Sequence, residues 1–180
     1  DLALNAAHAA FPAWSAVSID ERAAHLNRAA GLLEERMPFF MAILSKEAGK
    51  TIAACESEVR EAIDFCRYYA VSAQENLKPI HLPGPTGESN QLFMKGRGVF
   101  VCISPWNFPL AIFMGQVVAA LVAGNVVLAK PADQTPIIAF EAIKLLHDAG
   151  IPTDALHLLT GRGSVIGARL LPDNRIAGVM

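Results

Sequence analysis

A chain of 180 residues with 53% hydrophobic content and a formal net charge of −2 can bury one core of ordinary size, so it needs neither disulfides nor a structural metal to hold it. The near-neutral balance leaves no electrostatic footprint for a nucleic acid or an anionic membrane surface. Three cysteines, Cys55, Cys66 and Cys102, are odd in number and lack CxxC spacing; they read as reduced thiols of a cytosol-like compartment, and a cytoplasmic location is expected.

The opening stretch, "DLALNAAHAAFPAWSAVSID", has no basic segment leading into an apolar run, and no signal peptide is expected in it. The chain starts without Met and stops in the apolar "NRIAGVM" without a turn residue or cap, which reads as a cut through a larger domain. "SIDE", Ser18 to Glu21, has capping-box spacing and predicts a helix start, with Ala23, Leu26, Ala29, Ala30 and Leu33 on its buried side. Met37-Pro38 predicts a break before a second helix ending at Gly49. A third helix is predicted from near Thr51 to Asn76, with Val59, Ile63, Cys66 and Ala70 along a stripe, and Pro79 stops it. Residues 79–98, rich in Pro and Gly around a short "QLFMK" run, read as a hairpin or loop excursion of the kind used in oligomer contacts.

After Gly98 short apolar runs alternate with helical ones: "VFVCI", a helix from about Pro109 to Val122, "VVLAK", a helix from Pro136 to Ala149, "ALHLL", a helix from about Ser164 to Leu171, and "IAGVM". Thr135 is expected to cap the helix that Pro136 begins, and Gly150 to end it. Strand alternating with helix is the signature of right-handed βαβ units. The expected fold class is therefore α/β, a helical lead-in over residues 1–78 followed from residue 99 by a doubly wound, mostly parallel, Rossmann-like sheet. Phe108 to Ala129 is long enough by residue count to cross a bilayer, but Gly115-Gln116 and the turn signal Gly124-Asn125 divide it into helix, turn and buried strand.

Open parallel sheets bind ligands beyond the carboxyl ends of their strands, and the unusual polar and glycine residues cluster in the strand-to-helix turns "SPWNFP", "KPADQTP" and "TGRGSVIG". Gly161, Gly163 and Gly167 have the look of a dinucleotide loop, where glycines let phosphate approach a helix N-terminus; a tight turn built for packing explains them equally well. Lys130 ends an apolar strand with its ammonium available for ribose or phosphate oxygens, or simply snorkelling to water. Asp133 is placed to accept from a ribose diol and to repel a 2′-phosphate, or to cap the helix that follows. Asn107, an amide in an apolar frame, either satisfies the turn between Pro105 and Pro109 or aims an NH₂ at an oxygen that gains charge during acyl transfer.

Taken in order, "SPWNFP", "GNVVLAKPADQTP" and "GRGSVIGA" resemble the N-terminal half of the aldehyde dehydrogenase superfamily. "EAGKT", "EVREAIDFCRYYA" and "ISPWNFPLAIF" are similar to the L-glutamate γ-semialdehyde (Δ1-pyrroline-5-carboxylate) dehydrogenase domain of bacterial proline utilization A proteins. The resemblance implies NAD-dependent oxidation of a small aldehyde, in which a cysteine thiolate attacks, hydride leaves to nicotinamide and a glutamate-activated water hydrolyses the thioester. It implies that residues 99–180 are the first part of the NAD-binding domain, with the catalytic domain, its cysteine and its glutamate beyond residue 180.

By the same resemblance, Asn107 matches an oxyanion donor, and Phe108 an aromatic wall of the aldehyde pocket. Glu61 matches a carboxylate that meets the substrate's amino end. Ile103, Ser104, Pro105 and Trp106 match the strand end beside nicotinamide, Lys130 and Asp133 the pair on the adenine ribose, and Gly163 and Gly167 the loop at the adenosine half. Asp133 departs from the family's usual glutamate, and Thr160 from a usual proline. A homo-oligomeric whole protein and a proline dehydrogenase domain in the same polypeptide are the partners the resemblance implies. A noncatalytic nucleotide-binding or assembly module on the same fold is the alternative from another class.

Overall fold

The computed structural model describes residues 1–180, and it begins with a helix that the sequence pattern leaves unassigned. In α1 (Leu2–Ala16) Leu4, Ala7, Ala10 and Trp14 are buried at spacings of three and four residues. The stripe is hard to read because half of it is alanine. α2 (Ile19–Glu35) starts where expected: the Ser18 hydroxyl accepts the Glu21 N–H at 3.2 Å, without a return bond from the Glu21 carboxylate. α3 (Met37–Ala48) follows after one residue, Arg36, and ends at Gly49 in the left-handed region (φ 67°). α4 (Ile52–Asn76) opens on Thr51, whose hydroxyl accepts the Ala54 N–H.

β1 (Ile80–Leu82) and β2 (Asn90–Leu92) form an antiparallel hairpin, and Ile80, Leu82, Leu92, Phe93 and Met94 are exposed on and beside it. The long apolar stretch then resolves into β3 (Val99–Ile103), α5 (Ala111–Val122) and β4 (Val126–Lys130). Gly124 (φ 86°) reverses the chain, and Asn125 fastens the reversal by accepting the Arg97 N–H at 2.6 Å and donating to the Ala120 carbonyl at 3.2 Å. No helix is long and apolar enough to cross a membrane. α6 (Pro136–Asp148), β5 (Leu156–Leu158), α7 (Gly163–Leu170) and β6 (Ile176–Val179) complete the chain.

The four strands β3 to β6 make one parallel sheet in the order β5-β4-β3-β6. Strand order reverses between β3 and β6, as in the first half of a doubly wound sheet. α7 lies beside α1, Arg169 pairing with Asp1, and right-handed crossovers put α5 and α6 on the opposite face. One continuous core takes Leu4 and Trp14 from α1, Leu26 from α2, Val59 from α4 and Val101 and Leu128 from the sheet, so the helical lead-in and the sheet share a single interior.

The lead-in helices also supply charges to both ends of α5 and α6, each with the sign that suits the helix dipole. At the N-terminus of α5 the Glu58 carboxylate accepts the Leu110 and Ala111 N–H groups at 2.8 and 3.3 Å. At its C-terminus Arg22, 5% exposed, donates from Nε to the Val122 carbonyl at 2.8 Å. Glu47 does the same for the start of α6, accepting from Ile137 and Ile138 at 2.7 and 2.9 Å, and Arg28 donates to the Ala149 carbonyl at its end at 2.9 Å. Thr135 is therefore not the working cap that the sequence suggests: its hydroxyl is buried without a partner, because a carboxylate from α3 already occupies the amides.

Candidate functional site

The carboxyl ends of β3, β4 and β5 are held level by backbone bonds that continue past the strands. Ser104 N–H donates to the Lys130 carbonyl at 3.1 Å, Leu159 N–H to Ala129 at 2.8 Å, and Ile103 N–H to Met180 at 2.8 Å. The turns "SPWNFP", "KPADQTP" and "TGRGSVIG" consequently leave the sheet along one edge, with the strand-order reversal beside the first of them.

Lys130 closes β4, whose five residues are all buried, and its own side chain is 7% exposed. The ammonium donates to the Pro131 carbonyl at 2.8 Å and to Asp133 Oδ1 at 2.5 Å. It is not snorkelling, and Asp133 is not a helix cap: the two form an ion pair with the carboxylate 45% exposed. An ammonium has three donors, so one remains for a ligand, and the outer carboxylate oxygen remains as an acceptor. A cleft of about 280 Å³ opens here between Asp133 on one side and Thr160, Gly161 and Arg162 on the other. Gly161 takes the backbone that only glycine adopts easily (φ 134°). Gly163 has no such need, and a Cβ there would point at Lys130 Nζ from 3.8 Å, so the space it leaves lies beside the ammonium. Gly167 lies one turn further into α7, against Leu171, away from this pair.

The β3 turn has a different character. Ile103, Trp106, Asn107 and Phe108 are exposed, whereas Ser104 is buried with its hydroxyl unpartnered and Pro105 is half-buried. Asn107 is thus not buried in an apolar frame, and its side chain makes no hydrogen bond within the turn; the structural explanation of this amide loses its basis. Phe108 carries the Lys50 ammonium over its ring, 4.2 Å from the centroid. Glu61 is exposed on α4, and the arginines that would neutralise it are engaged elsewhere, Arg60 with Glu56 at 2.9 Å and Arg67 with Glu34 at 2.7 Å.

The structure therefore brings Lys130, Asp133 and Gly163 into one cluster and puts Asn107 and Phe108 on the neighbouring turn, with Glu61 on the helix that packs behind α5. Sequence reasoning missed Glu58, Lys50 and Glu47. For Glu58 a signal was present: it stands on the buried stripe of α4 between Cys55 and Ala62, where a carboxylate needs a partner. The three cysteines are buried, Cys102 inside β3 and the others on α4. Burial pushes the Cys66 and Cys102 thiols up from 9.0 to about 12, so neither supplies a thiolate near neutral pH.

The aldehyde dehydrogenase family model matches residues 1–180. The chain is 50% identical over 170 residues to the bifunctional protein PutA of Klebsiella aerogenes, covering 94% of this chain and 12% of that protein. A crystal structure of a bifunctional proline utilization A (PutA) protein superposes with a TM-score of 0.97 at 59% identity, over 99% of this chain and 18% of the other. A 1-pyrroline-5-carboxylate dehydrogenase from Thermus, solved with bound NAD, gives a TM-score of 0.95 at 36% identity, over 98% of this chain and 34% of the other. The chain thus spans about an eighth of the PutA protein's length and a third of the Thermus enzyme's.

Proposed function

The chain belongs to the aldehyde dehydrogenase family, and on that footing we propose that it is the N-terminal part of an NAD-dependent L-glutamate γ-semialdehyde dehydrogenase, which oxidises the semialdehyde to glutamate in proline catabolism. The observation that carries this reading is the edge where Lys130, Asp133 and Gly163 meet one turn away from Asn107 and Phe108. A cofactor that donates and accepts through a ribose diol fits a buried ammonium with one free donor beside a half-exposed carboxylate. NAD, when bound, accepts the hydride from the aldehyde carbon.

In this reading Lys130 and Asp133 hold the adenine ribose, Gly163 leaves room for it, and Gly167 lines the helix behind. Ile103, Ser104, Pro105 and Trp106 form the wall beside nicotinamide. The unbonded Asn107 amide is free to donate to the developing oxyanion, and Phe108 walls the aldehyde. The buried thiols supply no nucleophile, so residues 1–180 alone are expected to have no dehydrogenase activity. The bifunctional relatives support a proline dehydrogenase activity elsewhere in the same polypeptide.

Glu61 tests the substrate. Its charge is unpaired, and it stands one helical turn from Glu58, whose carboxylate touches the turn at Leu110. In the whole enzyme Glu61→Ala should lower kcat/KM for glutamate semialdehyde about tenfold or more and leave propanal oxidation nearly unchanged, because only the first substrate carries an ammonium. Equal losses would make Glu61 structural, and no loss would return it to the solvated surface.

A further inference from the structure

The turn carrying Asn107 and Phe108 rests on two charges that the family resemblance gave no role. Glu58 is 1% exposed, on the side of α4 that faces α5. One carboxylate oxygen takes the first amides of α5, which has no side-chain cap of its own. The other oxygen finds no donor except the ammonium of Lys50. Lys50 follows directly on Gly49, the left-handed stop of α3, and its side chain is 14% exposed. A buried carboxylate without that counter-charge would be costly, so Glu58 fixes where the ammonium sits.

That ammonium in turn lies over the ring of Phe108. Phe108 is 41% exposed, belongs neither to the core nor to the side chains packed on it, and stacks with no other ring. The cation–π contact with Lys50 is the one specific interaction its ring makes, through attraction to the negative face of the π system. The chain of contacts runs from α4 through Glu58 and Lys50 to one face of Phe108, and the ring remains 41% exposed.

We propose that Lys50 and Glu58 are positioning residues of the aldehyde pocket, holding Phe108 as a preset wall. The proposal rests on the reading of Phe108 as that wall. Its expected signature is a binding defect without a chemical one, since neither residue touches the cofactor edge or Asn107.

The test is a double-mutant cycle in the whole enzyme, with KM and kcat for glutamate semialdehyde, the Kd of NAD and the Tm as readouts. Lys50→Met combined with Glu58→Gln removes both charges together, so no lone carboxylate is stranded, and the glutamine carbonyl still accepts from Leu110. This pair should raise KM about tenfold while kcat and the NAD Kd stay within about twofold. Lys50→Arg, which keeps a cation over the ring, should stay within about threefold of the parent KM. Added to Phe108→Ala, the pair should cause no further loss, because it acts only through that ring. An unchanged KM, an additive loss on the Phe108→Ala background, or a variant that unfolds or loses kcat, KM, NAD affinity and Tm together would overturn the proposal. If the parent enzyme oxidises another aldehyde and not glutamate semialdehyde, the substrate reading fails, and the same cycle run with that aldehyde still decides the role of Lys50.

Discussion

Glu47 accepts the backbone N–H of Ile137 at 2.7 Å across 90 residues of sequence, so a carboxylate of the helical lead-in caps the helix that begins right after "KPADQT". The segment bearing Lys130 and Asp133 is therefore pinned at one end by β4 and at the other by α3. Replacing Glu47 by Ala should lower folding stability by about 1 kcal/mol, the usual value of an N-cap, and weaken NAD binding in the whole enzyme severalfold with kcat little changed. Chemical denaturation and NAD titration check both; intact NAD affinity would show that the segment holds its shape without the cap.

Asn107 is exposed and makes no hydrogen bond, so its removal should cost the fold nothing. In the whole enzyme Asn107→Ala should lower kcat by roughly 10² or more, because an oxyanion donor acts on charge that develops in the transition state. NAD affinity and Tm should match the parent. Turnover at the parent rate would remove Asn107 from the mechanism.

Asp133→Ala leaves the Lys130 ammonium with the Pro131 carbonyl as its single acceptor and takes away the carboxylate that would repel a 2′-phosphate. NAD affinity should fall and the preference for NAD over NADP should narrow by roughly tenfold, about the value of one charge-assisted hydrogen bond. Kd values for both cofactors measure this. An unchanged ratio would place Asp133 in a purely structural pair with Lys130.

The Cys66 and Cys102 thiols are held by burial at about 12 in the folded protein against an ordinary 9.0. The neutral form is the one the fold favours, so below pH 9.0 both states are protonated and these groups leave stability unchanged. As pH rises above 9.0 the unfolded chain ionises first, and stability should fall continuously up to about pH 12. Replacing both with Ala should flatten that part of the profile of unfolding free energy against pH. At pH 8 iodoacetamide should label neither residue until the protein is unfolded, and rapid labelling in the native state would contradict their burial.

Much of this molecule was legible from local chemistry. The alternation of short apolar runs with helical periods gave the parallel sheet, Gly124-Asn125 broke the apolar run where the chain turns, and Ser18, Thr51 and Gly49 marked helix ends through bonds and dihedrals made within a few residues. The turns at the sheet edge could be found for the same reason, since each follows a strand whose direction is already known. What needed tertiary structure was every interaction between side chains and backbone far apart in sequence. α1 was missed because alanine contributes too little contrast to a helical stripe. Thr135 was credited with a cap that Glu47 supplies from α3, and nothing local shows that Arg60 and Arg67, the cations nearest Glu61 in sequence, pair with Glu56 and Glu34 instead. The Glu58, Lys50 and Phe108 chain could not be inferred either, because spacing along a helix says which side a carboxylate occupies but not which amide or cation arrives there when the chain folds. Sequence fixes local periodicity and turn chemistry, which depend on neighbouring residues; a buried charge finds its partner only through the packing of whole elements.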